Sequence, residues 1–131
     1  MTTAVDVHCT LTFRPDGLPV ITYQKPTRQS VDEWLAHVDT LLAAKPGQPL
    51  DYLLDHRRID ALPPLTYAVG ALREWLRRNP QHPPIRIASL HPSGMLLSMI
   101  DSMVSLLRAN RVQVRFFRDE ADALKWLQSD K

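Results

Sequence analysis

Two short apolar runs, Leu50–Asp55 and Ile85–Leu90, and one alternating run, Val112–Phe116, are separated by segments whose apolar residues recur at helical spacing. Runs of this length are too short for ordinary helices and read as strands. Strands joined through a helix run parallel, with right-handed crossovers, because a tight turn returns a strand only antiparallel. The middle and end of the chain are thereby committed to an α/β fold.

The start of the chain adds a hairpin. From Asp6 to Phe13, Val7, Cys9, Leu11 and Phe13 alternate with His8, Thr10 and Thr12, the period of a half-buried strand. Arg14-Pro15-Asp16-Gly17 supplies turn chemistry, and Val20–Tyr23 is the returning strand. A capping box, Ser30-Val31-Asp32-Glu33, predicts a helix that carries Trp34, Leu35, Val38 and Leu41 on one face and ends at Lys45-Pro46-Gly47. Pro63-Pro64 suits the first turn of a second helix bearing Leu65, Val69, Leu72 and Leu76. Ser93-Gly94 opens a third, with Leu96, Leu97, Ile100, Met103, Val104 and Leu107 on one face. Asp119 caps a last helix with Ala123, Leu124, Trp126 and Leu127. The order β-β-α-β-α-β-α-β-α predicts an α/β mixed five-stranded sheet with about four helices. With no repeat and no linker, residues 1–131 are expected to form one domain.

Composition removes several classes of function. Hydrophobic residues at 44% and charged ones at 23% are those of a packed protein, and a net charge of +2 with both signs scattered gives no reason to expect nucleic acid. The single cysteine, Cys9, forms no intrachain disulfide. Met1–Asp6 has neither a basic start nor an apolar run, and nothing reaches the ~18 apolar residues of a transmembrane segment. A cytoplasmic location is expected.

Two stretches bear a family resemblance. Tyr52-Leu53-Leu54-Asp55 followed by Ile59-Asp60-Ala61-Leu62, and the terminal Phe116-Phe117-Arg118-Asp119-Glu120-Ala121-Asp122-Ala123-Leu124-Lys125-Trp126-Leu127, resemble the STAS domain, and more closely its SpoIIAA-like branch. The resemblance spans almost the whole chain and implies a regulatory module that binds proteins. In anti-sigma-factor antagonists the corresponding loop carries an aspartate followed by a phosphorylated serine. The matching pair here is Asp60-Ala61, and alanine has no hydroxyl to phosphorylate.

Open α/β sheets bind ligands beyond the carboxyl ends of their parallel strands. That rim should carry Asp55, His56, Arg57, Arg58 and Asp60 after the third strand, His91, Ser93 and Gly94 after the fourth, and Phe117 after the fifth. Asp55 with Arg57 or Arg58 would suit anion recognition, or a loop whose charges pair locally. His56, His91 and Asp55 are of metal-ligating types, but no diagnostic spacing supports a metal and the plainer reading is solvent-facing loop residues. Ser93 is explained as an ordinary helix cap. Arg73, Arg77 and Arg78 crowd one helix with Glu74 in pairing range, which reads as a solvated face.

Met95, Met99 and Met103 recur every four residues and widen an apolar helix face, as core packing or as one wall of an apolar pocket. Trp75 and Trp126 are expected to bury against the domain's own sheet, with a subunit contact in a homodimer as the alternative. No cofactor is implied. Three functions follow in order: a non-enzymatic module binding a protein partner through the third-strand loop and second helix; a carrier or sensor of a small apolar or amphipathic ligand beside the methionines; and an enzyme using the His56, Asp55 and His91 rim, which requires those side chains to converge.

Overall fold

The computed structural model describes residues 7–61, 63–91 and 111–129. These form β1 (Cys9–Phe13), β2 (Pro19–Tyr23), α1 (Arg28–Ala44), β3 (Leu50–Asp55), α2 (Leu65–Arg78), β4 (Ile85–Leu90), β5 (Val112–Phe117) and α3 (Glu120–Gln128). The five strands lie in sequence order, β1-β2-β3-β4-β5. β1 pairs antiparallel with β2, and every later pair is parallel. The helix expected from Ser93 to Leu107 lies outside the described residues, which hold three helices against the four expected.

Alternation along the strands assigns side chains to two layers. Ile21 and Tyr23, Tyr52 and Leu54, and Ile85 and Ile87 face α1 and α2. Leu53, Ala88 and Leu90 point the other way and bury against Ala123 and Leu127 of α3. Indole and phenol groups brought inside find partners, as such groups must. Trp34 Nε1 donates to the Tyr52 hydroxyl at 2.9 Å, and Trp75 Nε1 donates to Asp39 at 2.8 Å, tying α2 to α1.

Two helix starts are displaced from their expected places. The first helix is capped by Thr27, whose hydroxyl accepts from the Ser30 backbone N–H at 3.1 Å while Ser30 Oγ accepts from the Thr27 N–H at 3.2 Å. Ser30 is thus the third helical residue of the box and not its cap. Glu33 is thereby released to serve β1: its Oε1 accepts from the backbone N–H groups of His8 and Cys9 at 2.9 and 2.8 Å. β1 begins at Cys9, with Val7 outside it and 43% exposed. Pro63 and Pro64 precede α2 instead of forming its first turn. Pro64 has an extended ψ of 112° and contributes only its carbonyl, to the Ala68 N–H at 2.9 Å, a role that needs no N–H of its own. Asp119 stands at the cap of α3 without a side-chain cap bond.

One charged pair fixes the second layer. The Arg86 guanidinium forks onto Asp51 at 3.0 and 2.7 Å across β3 and β4, and donates to the carbonyls of Trp126 and Leu127 at 3.4 and 2.5 Å. Those carbonyls belong to the last turn of α3, where a helix leaves acceptors unfilled and favours positive charge. Removing one member of such a pair takes away the charge that offsets the other, whereas removing both does not. Arg86→Met is expected to cost about 3 kcal/mol in urea unfolding, and adding Asp51→Leu to recover more than half of it. A loss below about 1 kcal/mol in the single variant would show that the pair does not hold α3 in place.

Candidate functional site

Because β2 to β5 run parallel, the residues that follow β3 and β4 meet at one rim. The backbone ladder continues one residue past each strand: the His56 N–H donates to the Leu90 carbonyl at 2.9 Å, and the His91 N–H to the Phe117 carbonyl at 3.0 Å. The two imidazoles are therefore held side by side. Their centroids are 4.4 Å apart with planes inclined by 12°, a stacked arrangement. Tyr23 of β2 lies against His56 at 4.7 Å, and Phe116 of β5 against His91 at 5.4 Å. Both histidines are buried, which corrects the reading of them as solvent-facing. They sit over the sheet face that carries Tyr23 and Ser89, closed in by rings from the neighbouring strands.

Ser89, almost completely buried, joins the pair. Its hydroxyl is 2.8 Å from His91 Nε2 and 3.3 Å from His56 Nδ1, and His91 Nδ1 is buried with no hydrogen-bond partner among the described residues. One hydroxyl hydrogen allows Ser89 to donate to one ring and accept from the other. Had His91 received it, the His91 hydrogen would sit on Nδ1 as a buried donor with no acceptor, a costlier state than a bare lone pair. His91 Nε2–H therefore donates to Ser89, and Ser89 donates to His56. Neither ring tolerates charge here: burial, with the neighbouring His91 ring adding to it, pushes His56 down to about 3. Burial also lowers His91, against the opposing pull of Asp55.

The carboxylate of Asp55 does not join the histidines. Arg57 engages both of its oxygens, Nε to Oδ1 at 3.0 Å and Nη2 to Oδ2 at 3.0 Å, and the Arg57 backbone N–H adds a bond to Oδ1 at 2.9 Å. Although burial raises the carboxyl of Asp55, those bonds outweigh it and hold the group below the ordinary carboxylate range. Arg57 Nη2 also reaches Glu120 of α3 at 3.1 Å, and the other oxygen of Glu120 accepts from Arg14 of the hairpin turn. Ile59 is buried beneath the loop, whereas Arg58, Asp60 and Ala61 are exposed.

Of the expected rim residues, then, His56 and His91 converge, Asp55 and Arg57 form a separate ion cluster, and Arg58 and Asp60 face outwards. Ser93, Gly94, Met95, Met99 and Met103 lie outside the described residues. Phe117 turns to the opposite layer, beside Trp126 at 5.9 Å. Ser89 is not among the expected rim residues, yet its place two residues before His91 in a strand puts it on the same face, a signal that alternation carries. Glu120 and Arg14 carried no such signal, since 106 positions separate them. Cys9 is buried, and burial pushes its thiol up to about 12, so it is not a nucleophile at neutral pH. Among the described residues no group of three His, Cys, Asp or Glu side chains is placed to hold a metal ion. The wider grooves described, of about 400 and 180 Å³, open at the opposite end of the sheet beside Gly17, Pro19 and Asp51. No helix among the described residues is long and apolar enough to cross a membrane.

No protein-family model matches the chain, and neither does any curated protein. Among solved structures, the crystal structure of an uncharacterized protein of the DUF3478 family from Shewanella loihica PV-4, described as having a SpoIIAA-like fold, is similar to it. The likeness covers 96% of this chain and 99% of the other at 16% identity, with a TM-score of 0.58. The fold of this chain is SpoIIAA-like, a mixed five-stranded α/β sheet.

The neutral, buried His56 sets a pH dependence. With its value lowered from 6.5 to about 3, the folded protein binds fewer protons than the unfolded chain throughout that interval, so stability falls as pH falls through it. Urea unfolding is expected to lose about 2 kcal/mol for this histidine between about pH 7 and pH 5, and His56→Phe to flatten that slope whatever its effect at neutral pH. A variant with the wild-type slope would mean that His56 is not buried as a neutral ring.

Proposed function

We propose that this chain is a non-enzymatic binding module that recognises a protein partner through the β3–α2 loop and the outer face of α2. The observation that carries this reading is the bracing of the loop from within. Asp55 holds Arg57 through the backbone and the guanidinium, Glu120 holds the same guanidinium from α3, and Ile59 is buried underneath, while Arg58, Asp60 and Ala61 are presented to solvent. A loop already fixed in one shape loses little conformational entropy on binding, and a rigid scaffold carrying an exposed loop is a common arrangement for recognition. The outer side of α2 is polar and exposed at Thr66, Arg73, Arg77 and Arg78, with Glu74 paired to Arg77 at 2.6 Å.

The chemistry of the rim agrees with binding better than with catalysis. Ser89 has a histidine at hydrogen-bond distance but is buried, and Asp55 is committed to Arg57 and orients neither imidazole. Ala61 stands where anti-sigma-factor antagonists place a phosphorylated serine, so the recognition proposed here is not governed by phosphorylation at that position.

The immobilised protein is expected to retain a specific partner from extracts of its source cells. Asp60→Arg and Arg58→Glu should each reduce that retention at least about tenfold, as substitutions at the centre of an interface do. Gln48→Arg, at the far end of the sheet, should leave it unchanged. Retention indifferent to both loop substitutions would refute this surface.

A further inference from the structure

Two buried imidazoles that share one hydroxyl, with a third ring nitrogen left bare, are an unusual way to finish a sheet. An apolar pair would fill the same space without the polar atoms. His91 Nδ1 is the acceptor to which a proton would add, and an added proton would make it a buried donor facing no acceptor among the described residues. The pair cannot hold that charge and keep its place. Relief comes by turning the ring towards water, which breaks the 2.8 Å bond to Ser89 and the stack on His56. His56 is the residue from which the β3–α2 loop departs, and its carbonyl accepts from the Ile59 N–H at 3.4 Å.

We propose that the His56–His91 pair is a proton-operated latch on the β3–α2 loop: neutral, it holds the loop in its braced shape, and protonated at His91 it lets the loop loosen. The groups facing the pair, among the described residues, are Tyr23 from β2, Asp55 at the end of β3, Ser89 from β4 and Phe116 from β5. Burial pushes the Tyr23 phenol well above its ordinary range, and it stays neutral. Asp55, held ionised by Arg57, changes charge only below the ordinary carboxylate range. Between neutral and mildly acidic pH Tyr23 and Asp55 thus keep their charge states and burial holds His56 neutral, with its value at about 3, which leaves His91 as the group the latch depends on. The Asp55–Arg57–Glu120 bracing survives that interval, so the latch acts on the His56 root of the loop and on Ile59. Its regulatory meaning rests on the loop being the recognition surface proposed above; the latch itself does not.

Hydrogen exchange on the protein alone separates the two. After correction for the intrinsic pH dependence of exchange, the amides of His56, Ile59 and His91 should lose at least about tenfold more protection between pH 7 and pH 5 than those of α1 and the β1–β2 ladder, which follow only the fall in global stability. His91→Phe, and His91→Gln as a polar variant that does not titrate, should each remove this local excess. Protection unchanged in the wild type, a loss no larger at these amides than over the rest of the sheet, or an excess that persists in both His91 variants would overturn the latch. Partner retention at pH 7 is a separate reading, and its sensitivity to Asp60→Arg stands or falls independently of these amides.

Discussion

Parallel pairing is the constraint on which the rest of this structure depends. Once β3, β4 and β5 run the same way, each return must cross a face of the sheet, and the residues after each strand collect at one rim. His56 and His91 come together for this reason alone: each is the first residue beyond its strand, and adjacent parallel strands in register bring those positions side by side. The ion cluster of Asp55, Arg57 and Glu120 follows from the same register one residue earlier, on the opposite face.

The strand pattern was legible because burial on a sheet writes a period of two, or an unbroken apolar run, into the residues themselves. Leu50–Asp55 and Ile85–Leu90 have the same bounds in the structure as in the sequence reading. Helix starts were less legible, since Thr27 and Ser30 offer equivalent capping chemistry three residues apart. In the structure the box is Thr27 with Ser30, and the Glu33 carboxylate serves the open backbone of His8 and Cys9. That contact is tertiary and leaves no local trace.

The site was legible in composition and not in arrangement. Asp55, His56, Arg57 and His91 were all named, but nothing local says that Arg57 would take both oxygens of Asp55 and leave the histidines to Ser89. Charge pairing two residues apart in a turn competes with pairing across strands, and here the turn wins because the Arg57 backbone N–H and guanidinium converge on one carboxylate.

The link from Arg14 through Glu120 to Arg57 has a kinetic side. It joins the hairpin turn, the end of the third strand and the last helix, across separations of 106 and 63 residues. Contacts this distant along the chain close large loops, and their entropy must be lost before the contacts return anything. The link therefore belongs late in folding, and it strengthens the barrier to unfolding more than it speeds assembly. A surface ion cluster of modest equilibrium worth acts, on that account, more on how long the assembled sheet persists than on how fast it forms.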